Sequence, residues 1–172
     1  MRRYLFAILA LAAAGSVSGC GKCSRDKAAE ELIGRVIERE TGKEADVQIS
    51  QDSMVIRSKE GELSFTAGES AKIPVGFPKD ILVMDGSRVE SALASGDGTM
   101  INLAIDRKKA DVVAAYKAGM GAQGWSEEAS MDVSGQAIMS FKKDARLANL
   151  IIGEEDGVCR IVITLTSEET GE

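Results

Sequence analysis

Serine, lysine and carboxylate groups are the residues of this chain whose spacing could carry chemistry. Ser140-Phe141-Lys142-Lys143 and Ser24-Arg25-Asp26-Lys27 each place a lysine three residues after a serine. That spacing lets an amine activate a hydroxyl for acyl transfer, provided the serine opens a helix and has Ser-Asp-Asn and Lys-Thr-Gly partners. Neither partner tripeptide occurs, and Ser140 falls in a strand pattern, so chance explains both matches. The 27 acidic residues leave paired-carboxylate hydrolysis open by number alone. No spacing singles out two of them, and the few aromatics offer little surface for stacking a sugar.

Other chemistry falls away on composition. There is no histidine, which removes the commonest general base, the commonest zinc ligand and the usual pH switch together. Asp97 in Gly96-Asp97-Gly98 and the run Glu154-Glu155-Asp156-Gly157 lack the alternating oxygen ligands of a calcium loop, and read as solvated hairpin tips. No phosphate-binding glycine loop or cofactor fingerprint appears, so neither cofactor nor metal is expected. Lys142, Lys143 and Arg146 form the one basic cluster that could meet lipid or glycan anions. A charged edge strand, guarded against pairing, is the plainer reading. Trp125 and Tyr116 read as core anchors.

The strongest signal lies at the start of the chain. Arg2 and Arg3 precede an apolar run from Leu5 to Ala14, which leads into Gly15-Ser16-Val17-Ser18-Gly19-Cys20. A basic start, a short apolar stretch and a small-residue exit make a secretory signal, and the run is too short to span a bilayer. The exit Val17-Ser18-Gly19-Cys20 resembles the lipobox of bacterial lipoproteins. The resemblance implies a diacylglyceryl thioether on Cys20, cleavage before it, and acylation of the freed amine. Two or three chains hold a membrane far better than one. Gly21, where an aspartate could stand, resembles the outer-membrane class, facing the periplasm in a Gram-negative host.

Removing residues 1–19 from 172 leaves 153, enough for one domain with a small satellite. Loss of Arg2 and Arg3 takes the formal charge from −6 to −8. An acidic body argues against nucleic acid as a partner and against electrostatic docking on anionic lipid. With Cys20 acylated, Cys20-Gly21-Lys22-Cys23 cannot act as a dithiol. Cys159 is in phase with Ile161, Ile163 and Leu165, so a buried thiol is expected there; a Cys23–Cys159 disulfide is the alternative.

The elements that would position these groups can be read in order. Residues 20–27 are a lipidated polar tether. Ala29, Leu32, Ile33, Val36 and Ile37 recur at helical spacing, predicting an amphipathic helix that starts at Ser24 or Asp26 and closes at Gly42. Alternating runs at Val47–Ser50, Met54–Ser58 and Glu62–Thr66 predict a meander, giving a small αβββ subdomain over 28–67. Residues 68–86 hold both prolines, Pro74 and Pro78, and read as an extended crossing segment. An α+β domain follows over 87–166. A hairpin, Arg88–Ser95 and Thr99–Asp106, leads to a helix from Arg107 to about Met120 capped by Asp106. Four strands, Ser126–Val133, Gln136–Lys143, Leu147–Glu154 and Val158–Thr166, complete an antiparallel sheet in the order ββαββββ, with the helix packed across it. Residues 167–172 are a polar tail.

This larger half resembles a recurring pattern in uncharacterised small secreted bacterial proteins. The pattern comprises Val112–Tyr116, Gly124-Trp125, then Phe141-Lys142-Lys143 with Arg146 nearby; it implies no activity. The expected function is a membrane-anchored envelope lipoprotein that binds or helps assemble an envelope protein or cell-wall component and is not an enzyme. A small wall-active hydrolase using paired carboxylates is the alternative.

Overall fold

The computed structural model describes residues 22–41, 44–58, 61–96 and 98–167. The signal segment 1–19, Cys20, the helix stop at Gly42, Asp97 and the tail from 168 lie outside the described residues. Among the described residues nine strands form one antiparallel sheet: β1 Ala45–Ser50, β2 Ser53–Ser58, β3 Gly61–Ala67, β4 Arg88–Ser95, β5 Gly98–Ile105, β6 Ser126–Val133, β7 Gln136–Lys143, β8 Arg146–Glu155 and β9 Val158–Ser167. Two helices accompany it, α1 Lys22–Thr41 and α2 Lys109–Ala122. The α+β class and the antiparallel sheet are as expected.

The arrangement is more continuous than two units in series. Strand order is β1-β2-β3-β4-β5-β9-β8-β7-β6, and β3 pairs directly with β4 through Phe65–Leu93 and Thr66–Ala92. The meander is therefore one flank of a single sheet. Alone it would bury too little apolar surface to be stable, and pairing with β4 supplies the missing neighbour. After β5 the chain crosses along α2 to the far edge and returns strand by strand until β9 closes beside β5.

Side chains alternate across each strand, so register sorts the sheet into two faces. On the inner face, Ala92, Ile101, Ile163, Leu150 and Met139 line up strand to strand, as do Leu103, Ile161, Ile152 and Ala137. These residues are buried with Val112, Tyr116 and Met120 of α2. Of the stripe that helical spacing predicts there, Val112, Val113, Tyr116 and Met120, three are fully buried and Val113 is partly buried. Cys159 lies opposite Ile105 on this face and is a buried free thiol, as its phase indicated.

Two local expectations are corrected. The tether expected to Lys27 is helical from Lys22, because nothing between Lys22 and Lys27 breaks a helix. Helix α2 begins at Lys109, with Lys108 at its cap and no side-chain bond from that residue. Its first donor, the Lys109 N–H, instead donates to Glu154 Oε2 at 2.7 Å. A carboxylate from β8 thus does the work assigned to Asp106, and it favours the positive end of the helix dipole.

The crossing segment lies on the body, as its apolar content requires. Ile81 and Met84 are buried in the core and Phe77, Leu82 and Val83 pack against it. Turns at Pro74 and Pro78 bend it inward, with Phe77 N–H donating to Pro74 O and Ile81 N–H to Pro78 O. Its outer limb is exposed at Ile73 and Val75.

Candidate functional site

The basic cluster read from the sequence is divided by the pleat. Lys143 and Arg146 are register partners at the turn between β7 and β8, on the inner face. Lys142 pairs with Leu147 and points to the opposite face. Strand β7 is also not an edge strand; it lies between β6 and β8, so edge protection does not explain these charges.

Lys143 and Arg146 converge on Asp80 of the crossing segment. Arg146 donates from Nη1 to Asp80 Oδ1 at 3.0 Å and from Nη2 to Oδ2 at 2.7 Å, a two-pronged bond. Lys143 Nζ donates to Asp80 Oδ2 and to Gln123 O, both at 2.7 Å. Trp125 Nε1 donates to the Asp80 carbonyl at 2.8 Å, and the Arg146 guanidinium stands 4.9 Å from the Trp125 ring centroid. The Arg146 hydrogen bonds, with Lys143 adding to them, hold the Asp80 carboxyl well below the usual carboxylate range. Asp80 in turn raises the Arg146 guanidinium.

This geometry binds the chain to itself. Both cations are committed to one carboxylate, so their use on an external anion would first require breaking three charge-assisted bonds. Trp125, Lys143 and Arg146 meet here, so this part of the sequence pattern records a clamp on the crossing segment. Asp80 itself gave no sequence signal. It stands in Pro78-Lys79-Asp80, far in sequence from its partners.

The other groups that could have carried chemistry are dispersed. Ser140 and Lys143 are three apart on a strand and therefore face opposite sides, so the lysine cannot activate that serine. The side chain of Ser24 lies outside the described residues. Glu154 caps α2 and Glu155 pairs with Arg160 at 2.6 Å. Among the described residues no three acidic or cysteine side chains group around a possible metal position. Trp125 and Tyr116 are buried, as anchors should be.

What remains open is surface. A groove of about 480 Å³ runs between the crossing segment and the end of α2, lined by Ile73, Phe77, Leu82, Gly119 and Ala122. The outer face of the sheet is the second open surface. Asn102, Val162, Ile151, Ile138 and Met131 form one cross-strand row, and Met100, Thr164, Asn149, Ser140 and Ala129 the next. Neither row holds a charged side chain. Helix α2 packs on the opposite face and α1 packs on β1, so no described helix lies over these rows. Met131, Val133 and Ile151 are exposed there. The sequence carried this signal as consecutive apolar residues, Leu150-Ile151-Ile152 in β8 and Ile161-Val162-Ile163 in β9, but a strand buried on both faces gives the same pattern.

Compared with protein-family models, with curated proteins and with solved structures, the chain matches none.

Proposed function

We propose that this chain is an acyl-anchored lipoprotein of the cell envelope, held by lipid on Cys20, and that it acts as a non-catalytic binding or assembly-accessory module. In a Gram-negative host it belongs on the outer membrane, facing the periplasm. The observation that carries the binding role is the uncharged outer face centred on Ile151 and Val162. Val162, Ile151, Ile138 and Met131 follow one another across four strands, and an apolar row at the surface suits contact with a partner. The commitments of Lys143, Arg146, Glu154 and Glu155 to internal bonds support a role without catalysis. The partner is an envelope protein or a cell-wall component.

The test is a photo-crosslinking residue introduced at Ile151 in the full chain in intact membranes, with the same residue at Ala114 on the solvent side of α2 as control. A single discrete adduct from position 151 and none from 114 is expected, and Ile151→Lys in a second copy should compete poorly for the partner. Equal, diffuse labelling from both positions would remove the binding role. Wall-hydrolysis assays on the purified chain would then be the next measurement.

A further inference from the structure

We propose that α1 lies flat on the membrane, with Leu32 and Val36 turned into the lipid interface, so that the sheet stands on its β1 edge. This rests on acylation of Cys20.

Helix α1 covers the β1 edge with one side only. Glu30 Oε1 accepts the free edge N–H of Ile49 at 2.8 Å, and Gly34 sits against Ala45 O and Val47 Cγ2. Ala29, Ile33 and Ile37 are half-buried on that side. Covering an edge strand in this way prevents its pairing with another chain. Leu32 and Val36, one turn apart on the other side, are 57% and 53% exposed. Helix α2 exposes no large apolar side chain at all, so the feature belongs to α1 specifically. Arg35 and Arg39 flank the pair and are exposed, with stems long enough to lie along lipid while their heads stay in water.

Chain length identifies the occupant. Only Gly21 separates Cys20 from the first residue of α1, and two residues reach at most about 7 Å. Acyl chains on Cys20 therefore hold the start of the helix at the headgroups. Leu32 lies roughly 15 Å along the axis from Lys22 and Val36 roughly 21 Å. An upright helix would lift both into water, whereas a flat one brings both to the interface. Two side chains are too few to recruit a soluble protein. Once the anchor has made the contact intramolecular, they are sufficient to set orientation. The consequence is a sheet whose β6 edge stands up to about 38 Å beyond its β1 edge, eight strand spacings away on the side turned from the lipid. The uncharged face would then be displayed sideways, clear of the bilayer.

The test uses lipidated full-length protein in vesicles of phosphatidylcholine and phosphatidylglycerol, with and without brominated phosphatidylcholine. Leu32→Trp and Val36→Trp add a reporter to buried Trp125, and Ile151→Trp serves as the control. Loss of most of the added emission at positions 32 and 36, with none at 151, is the expected result. In a Leu32→Glu/Val36→Glu variant that still floats with the vesicles, trypsin should cut at Arg35 and Arg39 several-fold faster than in the parent. Added emission at 32 that is blue-shifted but unquenched would mean a protein covers the face and would overturn the proposal. Quenching at 151 instead would overturn it as well. Failure of the protein to float would overturn the anchor reading itself, a result distinct from flotation without quenching.

Discussion

Asp80 and Arg146, 66 residues apart in the chain, meet in a two-pronged ion pair that fastens the crossing segment to the turn between β7 and β8. The pair is partly sheltered, with side-chain exposures of 21% and 28%. It is backed by Lys143 and by the Trp125 ring. Shelter matters, since fully exposed pairs contribute little.

Asp80→Ala should therefore cost about 2 kcal/mol of stability, through loss of the pair and exposure of two uncompensated cations. The pH dependence has a definite sign. The Asp80 carboxyl is held below its ordinary value in the folded state, so the folded protein releases that proton more readily than the unfolded chain. Its contribution is full above the unfolded value of about 3.9 and is lost as pH falls toward the folded one. Urea unfolding of wild type and Asp80→Asn at pH 7 and pH 3 checks this: the gap between them should narrow at pH 3. A gap independent of pH would contradict it.

Gly98 opens β5 with its α-carbon against the backbone of β9. A Cβ there would stand 2.5 Å from Leu165 O, a contact with backbone that cannot swing away. Gly98→Ala should cost about 2 kcal/mol or more, as overpacking does, while Gly96→Ala, which meets nothing within 4 Å, should be nearly silent. Thermal melts of the two variants provide the comparison. The sequence marked both glycines as a hairpin signal and could not tell them apart, because the close approach comes from β9, more than sixty residues away.

Tyr116 is fully buried and its hydroxyl finds no partner among the described residues. Tyr116→Phe should leave stability unchanged or raise it by up to about 1 kcal/mol, whereas Tyr116→Ala should cost about 3–5 kcal/mol. Burial, with Cys159 nearby as a lesser cause, pushes the phenol well above its ordinary range. The folded state keeps its proton where the unfolded chain has lost it, so stability should fall as pH rises above about 10. Between residues 20 and 172 Tyr116 is the sole tyrosine. Phenolate absorbance should then appear only together with unfolding in an alkaline titration of the chain lacking residues 1–19.

Local features of the chain were legible in the sequence where one residue type dictates one backbone. Alternation located all nine described strands to within a few residues, and the stripe Val112, Val113, Tyr116, Met120 identified the buried face of α2, with Val113 at its margin. Relationships set by distant pairing were not legible. The insertion of β9 beside β5 leaves no local mark, and neither does the joining of β3 to β4. The same holds for the basic cluster: Lys142, Lys143 and Arg146 are neighbours in sequence, yet the pleat separates the first from the others and Asp80 occupies those two.

The start of α2 gives a further case, and one that mutation can separate cleanly. Asp106 has the right chemistry and roughly the right place for a cap, but the Lys109 N–H bonds to Glu154 of β8 instead. Glu154→Ala should cost about 1 kcal/mol, the usual value for a lost cap, and Asp106→Ala close to nothing. Glu154→Gln retains an acceptor oxygen but loses the charge that favours the helix dipole, so it should fall between wild type and Glu154→Ala. The effect should also be local. Amide exchange in the first turn of α2 should quicken in Glu154→Ala, while the buried strands β5 and β9 keep their protection relative to global stability. Faster exchange in Asp106→Ala, with Glu154→Ala unchanged, would return the cap to the residue the sequence favoured.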